Sequence, residues 1–487
     1  MTPGTEAPTT EPATPGPPQG SVVLEATLPL RDDTQTGGTV RAVVHPLQSS
    51  ASEGLSVLTV EFAGPADLAQ NTRAFMGVFM GPEGGSLPTG FTVFDPSTGT
   101  AARPLGIGDS WAAESDKFEL FPGQTTTLTL GFPPVGGASI FVMVPGFDVV
   151  EVPVVQAAAA QLPGSAATWA ASSEKTGSFV PIESWAMSLV TRSTVEVAGD
   201  QVLVELPSDV LFAFSKSELS KKAQKVVEKA GRKIAEAAAA EGEVTVVGHT
   251  DDQGDDALND RLAKARAESV AARLRPILGS SFTVKTAGKG SREPKVEGTS
   301  EEARAANRRV EITFTGRSAN KLVVVEDVPT ELPATAGVVV QGTETAHLPS
   351  EGLNPELEAR MLSLRRVGGQ LVGVLEIAAP TEKARSTMLF GNSEETTGVL
   401  SERGFSFLSI ANVSLLTPTT RVFPADFKVD IQGQSVHRIL GSSGDHVLPH
   451  VNGPFRYVLV WPDVDPSATT VTVDAPDGYR FLDVPIR

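Results

Sequence analysis

The sequence predicts a multidomain chain of β and α+β class: a central β-α-β-α-β-β mixed-sheet module flanked by two similar antiparallel β-sandwiches. Three observations predict it. Residues 21–155 and 320–487 are short apolar runs broken by Pro, Gly and Asp, with little helical periodicity. Residues 201–317 instead alternate strand-like runs with long helical patterns. Charge divides the chain at the same places: residues 201–317 hold 20 of the 40 Lys and Arg and 18 of the 58 Asp and Glu, which leaves a net of −20 on the rest.

The chain opens with "MTPGTEAPTTEPATPGPPQG". Residues 1–20 are Thr/Pro/Glu-rich, with too little apolar side chain to form a core, and are expected to be a disordered Thr/Pro-rich tether. An export signal or anchor is expected ahead of residue 1. The first arm, 21–155, and the second, 320–487, carry weakly similar stretches in the same order. "LSVLTVEFAGPAD" from Leu55 aligns with "GQLVGVLEIAAPTE" from Gly369. "GFTVFDPSTGTAARPL" from Gly90 aligns with "NVSLLTPTTRVFPADF" from Asn412, and "SIFVMVPGFDVVEVPV" from Ser139 with "TVTVDAPDGYRFLDVPI" from Thr470. A duplicated sandwich interrupted by the central module accounts for this order. Residues 156–200, Ala- and Ser-rich at first, are expected to be a linker.

Within 201–317, "VLFAF" from Val210 to Phe214 is expected as a strand. Ser217 is placed to cap a helix to about residue 240, with Leu219, Ala223, Val226, Val227, Ala230 and Ile234 facing inward. "EVTVVGH", Glu243 to His249, reads as a buried strand. A second helix is expected from Ala257 to Leu274, stopping before Pro276. A strand over 282–290, a short helix over 301–306 and a last strand over 308–316 complete the module.

Composition removes several function classes. The chain has no Cys, hence no disulfide, thiolate metal site or Cys nucleophile. No apolar window of about 18 residues is present, so no transmembrane helix is expected. The acidic arms argue against nucleic acid as a partner of the whole chain. His249 reads as a packed residue. His446 and His450 are four apart, but Pro449 between them breaks any helix, so no metal is expected. "GKGSREP" lacks the spacing of a phosphate loop. Trp111, Trp169, Trp185 and Trp461 are expected as core or linker anchors. No nucleophile, base and orienter fall into a constellation, so the chain is expected to be non-enzymatic, with no cofactor.

Five motifs of the central module resemble the OmpA-like (OmpA C-terminal) peptidoglycan-binding domain family. They are "DVLFAFSKSEL" at Asp209, "VVGHTDDQG" at Val246, "LNDRLAKARAESV" at Leu258, "TAGKGSREP" at Thr286 and "NRRVEITF" at Asn307. The resemblance covers under a quarter of the chain. It implies binding of the diaminopimelate in the peptide stem of peptidoglycan, with Asp251 holding the ligand's ammonium and Arg266 its carboxylate. Asn259 falls at the family's helix Asn, Arg308 lines the same pocket, and Thr250 beside Asp251 counts with them as ligand-binding. The sequence departs from the family at Ser215, commonly Asp, and at Ala263, usually Ser.

The residues themselves agree with that assignment. Asn259 and Arg266, seven apart, share a helix face, with small Ala263 between them as the expected floor of a shallow groove. One acid and one planar guanidinium suit a dipolar amino-acid centre, and the guanidinium can take a carboxylate by two parallel bonds. Helix N-terminal amides near residues 257–259 are expected to add donors. Asp252, Asp255 and Asp256 crowd Asp251 and are expected to weaken binding of carboxylate-bearing ligands or to hold Arg266 in the unliganded state. The expected function is a cell-envelope, outer-membrane or secreted protein held at the wall, its arms projecting outward and free to meet an envelope protein partner. The "DVLFAFSKSEL" form resembles those of high-GC Gram-positive bacteria. The alternative is an adhesion protein whose central module is only a scaffold. A wall hydrolase would need a carboxylate pair or metal site that the arms do not display.

Overall fold

A computed structural model describes the chain except residues 1–17, 29–37, 65–89, 108–109, 116–122, 159–161, 164, 317–330, 349–355, 379–395, 397–399, 402, 406–408, 432–433, 442–453 and 464. Most of the tether and the His446–His450 pair lie outside the described residues. The chain is mostly strand, in several sheets, with few helices. Among the described residues no helix is long and apolar enough to cross a membrane.

The central module is built on one sheet. Its strands are β1 (Val180–Ser188), β2 (Thr194–Ala198), β3 (Gln201–Pro207), β4 (Gly242–His249), β5 (Phe282–Gly290) and β6 (Arg309–Thr315). They lie in the order β5-β4-β6-β3-β2-β1, parallel only between β4 and β5. Helices α1 (Lys221–Ala237) and α2 (Asp256–Leu278) cover one face, and α3 (Glu301–Asn307) precedes β6. Val226, Val227 and Ile234 of α1 and Val270, Ala271 and Leu274 of α2 meet Val204, Val244, Val246 and Ile312 in a buried core.

Several boundaries depart from expectation. "VLFAF" is not a strand: Ser208–Leu211 form one helical turn, and Phe212 then bridges to Leu219. The strand comes earlier, where Gln201–Pro207 alternate outward and inward on the sheet. Ser220, not Ser217, caps α1, its hydroxyl accepting from the Ala223 amide at 3.1 Å. Helix α2 runs through Pro276 and ends at Gly279. Pro276 removes one hydrogen bond in the final turn, where the end of the helix is only two residues away.

Residues 156–200, expected as a linker, carry a short helix, Ala166–Ala171, and then β1 and β2. Strand β1 also joins the arms. It pairs with Thr100–Ala102 of the first arm at Val180–Pro181 and with Asp426–Ile431 of the second at Ile182–Glu183. It meets Thr420–Val422 at Ala186–Ser188.

The two arms repeat one pairing order. In the first, Val22–Leu28, Gly38–Val44, Leu55–Ala63 and Thr125–Phe132 pair in succession. In the second, the same succession runs Ala346–Leu348, Leu357–Val367, Gln370–Ala378 and Phe455–Pro462. A further run, Thr100–Ala102, Thr92–Asp95, Ser139–Met143 and Val149–Gln156, has its counterpart in Thr420–Val422, Ser414–Leu416, Thr470–Ala475 and Tyr479–Pro485. The arms do not project separately. Phe94, Met143 and Val149 share a buried cluster with Val372, Val458 and Val460, and Arg365 bonds Asp148 across the seam at 3.0 Å. Burying these apolar strand faces against one another removes them from water, which outweighs the freedom two separate arms would keep. Trp461, Trp185 and Trp169 are buried in cores, as expected of anchors.

A charged joint reinforces β1. Arg403 reaches Glu183 at 2.6 Å, Glu196 at 2.8 Å and Asp426 at 2.8 Å, while its guanidinium lies 5.1 Å from the Trp185 ring centroid. It thus ties β1 and β2 to the second arm. Burial raises the Glu196 carboxyl against the pull of Arg403. Glu183, Asp426 and His437 present possible metal-ligating atoms within 4.8 Å of one another, but Arg403 already bonds both carboxylates.

Two predictions follow from these contacts. Arg403→Met takes the shared cation away from Glu183, Glu196 and Asp426, leaving Lys428 at 3.0 Å from Glu183 and His437 at 3.3 Å from Asp426, and is expected to cost about 3 kcal/mol, read as a lowered midpoint in urea unfolding. On the open face of the module sheet, Glu311 lies 2.6 Å from Arg309 and 3.4 Å from His249 Nε2, the latter a charge contact outside hydrogen-bond geometry. Burial alone would raise its carboxyl, but His249 and Arg309 outweigh that and hold it down at about 2. Its contribution to stability is therefore full above the ordinary value of 4.5 and fades as pH falls toward 2. Glu311→Gln is expected to flatten the acid limb of the stability–pH profile in that window, measured by thermal unfolding at stepped pH.

Candidate functional site

The site forms at one end of the module sheet, where β3 and β4 finish and β6 begins. Two close contacts set the position of α2 there. A Cβ on Gly248 would stand 2.1 Å from the Ala263 carbonyl oxygen, and one on Gly288 2.5 Å from the Lys264 amide. Only glycine lets the helix lie this near the sheet. Ala263 is consequently buried against β4 and does not floor an open groove, which corrects the expectation from its spacing. The pairing of β4 with β5 slips after Gly248, and Thr250 N then donates to Gly290 O at 3.0 Å. This irregularity aims the following turn, with Asp251, away from the sheet.

Asp251 closes that turn by accepting from Gln253 N at 3.2 Å on one oxygen. Its other oxygen accepts from Arg308 Nη1 at 2.9 Å. Arg308 stands between α3 and β6 and also bonds Asp209 and Glu301, each at 2.8 Å. The hydrogen bonds to Asp209, Asp251 and Glu301 raise its pKa despite partial burial. Thr250 is buried and donates to the Asp251 carbonyl at 3.1 Å. Asn259, also buried, donates to the Gln253 carbonyl at 3.0 Å and so braces the Asp251 turn.

Arg266 is differently placed. It is 4% exposed. Its Nε donates to the Lys216 carbonyl at 3.0 Å, and its guanidinium lies 5.2 Å from the Phe212 ring centroid. Among the described residues its two terminal nitrogens have no hydrogen-bond partner, and it makes no ion pair. Burial lowers its pKa; the nearby charges of Asp209 and Asp251 work the other way, and Arg308 works with the burial. Arg266 and Asp251 therefore feel each other's charge without being bonded to each other.

Thus the structure brings Asp251, Arg308, Thr250 and Asn259 into one bonded group, with Arg266 beside it. The neighbouring acids do not hold Arg266, contrary to expectation. Asp252 is held by Arg304 at 2.6 and 3.2 Å. Asp255 caps α2, accepting from Ala257 N at 2.9 Å and Leu258 N at 3.2 Å, so these amides are not free donors for a ligand. Sequence reasoning missed Asp209, Glu301, Phe212 and the Lys216 carbonyl. Asp209 and Phe212 stood in a quoted motif, but reading it as a strand hid the helical turn and the loop that carry them to the site. Ser215 turns that loop with a left-handed backbone, φ 53°.

The comparisons with known proteins fall on this same region. Residues 211–308 match the OmpA family. The chain is 32% identical over 124 residues to the probable lipoprotein YiaD of Escherichia coli, covering 26% of this chain and 56% of that protein. It is 34% identical over 122 residues to outer membrane protein A of Shimwellia blattae, covering 23% of this chain and 50% of that protein. The chain thus spans about half the length of these curated relatives. Among solved structures it is similar to the cell wall anchor of the T6SS from Pseudomonas aeruginosa, at 31% identity and a TM-score of 0.24, covering 26% of this chain and 90% of that one. The stretch that matches and the stretch that carries the site coincide, and the central module of this chain is an OmpA-like domain of the OmpA family.

Proposed function

We propose that the central module binds peptidoglycan at the diaminopimelate of its peptide stem and so anchors the chain in the cell envelope. The observation that carries this reading is the state of Arg266: a buried cation with two unused guanidinium nitrogens, set beside an acid that is already partnered. Leaving a charge buried without an opposite partner is costly. A ligand carboxylate relieves that cost through a two-bond contact, and the ammonium of the same amino-acid centre falls to Asp251. Arg308 then holds Asp251 in place through the bond already present, and Thr250 and Asn259 hold its turn. The relatives support the envelope setting: they are a lipoprotein and an outer membrane protein, and one similar structure is that of a cell wall anchor. The repeated pairing order supports reading the arms as duplicated β-sandwiches, joined into one body that the module tethers to the wall.

Each charged hydrogen bond contributes about 1.5–3 kcal/mol, so loss of one clamp residue is expected to weaken binding at least about tenfold. In a sedimentation assay, the native chain should pellet with diaminopimelate-type sacculi. Asp251→Asn, nearly isosteric, and Arg266→Ala should remain in the supernatant, and Lys-type walls should hold the native chain less well. Equal pelleting of the native chain and both variants would end the clamp assignment.

A further inference from the structure

Helix α1 carries a second feature that the clamp does not use. Lys222, Lys225, Arg232 and Lys233 are exposed, and Lys229 is half-buried between them. At 100° per residue these five fall within about a third of the helix circumference, over roughly 16 Å of its length. The opposite face, with Ala223, Val226, Val227, Ala230 and Ile234, is buried in the module core. Little negative charge answers this strip. Glu228 at its flank is taken by Arg273 of α2 at 3.2 Å, and Glu236 at its far end meets only Lys233, at 3.4 Å. Lys222, Lys225 and Arg232 have no ion-pair partner among the described residues. Outside residues 201–317 the chain has twice as many acids as bases, so the strip is a cationic surface on an acidic molecule.

We propose that this strip is a docking surface for a linear phosphodiester polyanion of the cell envelope, bound alongside the stem peptide. The chemistry of the strip selects that class. Four of its five cations are Lys, which engage phosphate as point charges and demand no fixed geometry. No aromatic side chain interleaves them, so the stacking that single-stranded nucleic acid recruits is missing from it. No apolar side chain is exposed within the strip to enter a bilayer, so it lacks the amphipathic character of a membrane-surface helix. The strip also starts at the clamp. Ser220, which caps α1, follows directly on the loop whose Lys216 carbonyl holds Arg266. A wall strand held by its peptide at the clamp would therefore present an attached anionic chain to α1, while the acidic arms repel such a chain elsewhere.

The test uses the full chain and long-chain inorganic polyphosphate as probe, with binding read by fluorescence anisotropy. Binding is expected at 50 mM salt and should weaken about 50-fold by 200 mM, as neutralising the four exposed charges requires. The triple variant Lys222→Glu, Lys225→Glu, Arg232→Glu should lose at least about tenfold at 50 mM and keep its affinity for a diaminopimelate muropeptide. The corresponding Gln variant should lose less. Asp251→Asn should show the reverse pattern, losing the muropeptide and keeping polyphosphate, so failure of the strip and failure of the clamp are separable. No polyphosphate binding at 50 mM salt, or binding unchanged by charge reversal, would overturn the proposal. So would binding to phosphatidylglycerol vesicles without binding to polyphosphate.

Discussion

The structure depends on the backbone pairing of one strand. Strand β1 hydrogen-bonds to β2 on one edge and to strands of both arms on the other. Without it the module sheet would end in an exposed edge, and the arms would present unpaired edges of their own. With it, a local α/β fold and two β arms become one hydrogen-bonded body. Charge reinforces the same seam. Arg403 is bonded to acids from β1, β2 and the second arm, so the joint is closed by side chains as well as by backbone.

This joint was not legible in the sequence, for a physical reason. The residues of β1, "VPIESWAMS", carry polar groups whose burial the strand pattern does not explain: Glu183 is bonded by Arg403, far along the chain, and Ser188 by the turn just after it. Local patterning reports amphipathic faces, and β1 is buried on both. The helices and strands from Ser220 to Thr315 were legible because each buries one face with a regular period. The arm repeat was visible as three weak alignments, yet their mutual packing was not, since apolar alternation is the same whether a sheet meets its own partner or the other arm. Asp251, Arg308, Thr250 and Asn259 were named from motif and spacing, and the structure brings them into one bonded group. The groove floored by Ala263 was not found in the structure, because helix spacing places residues on a face without saying whether that face meets solvent or sheet. Gly248 and Gly288 decide it.

The site fixes one acid firmly and leaves a neighbouring cation unanswered. Asp251 is held from both oxygens, and its turn is braced by Asn259. Arg266 is positioned by a carbonyl and an aromatic ring, neither of which neutralises it. The acids near it are committed to Arg308, whose own charge opposes that of Arg266. The resulting imbalance is local and directional, and it is supplied by neighbours that the helix periodicity alone could not reveal.

The connection of module to arms bears on how the molecule carries force. Strand β3 begins at Gln201 and β6 ends at Thr315, and these two residues sit opposite each other. Asp209, Asp251 and Arg308 lie at the other end of the same strands, roughly 20 Å away. A tether fixed at one end and a load applied at the other would stretch β3 and β6 lengthwise. Both strands would be drawn the same way, so the force that reaches them from Asp251 passes through the bonds between β4 and β6, strained together as a row and not opened one after another from a loose end.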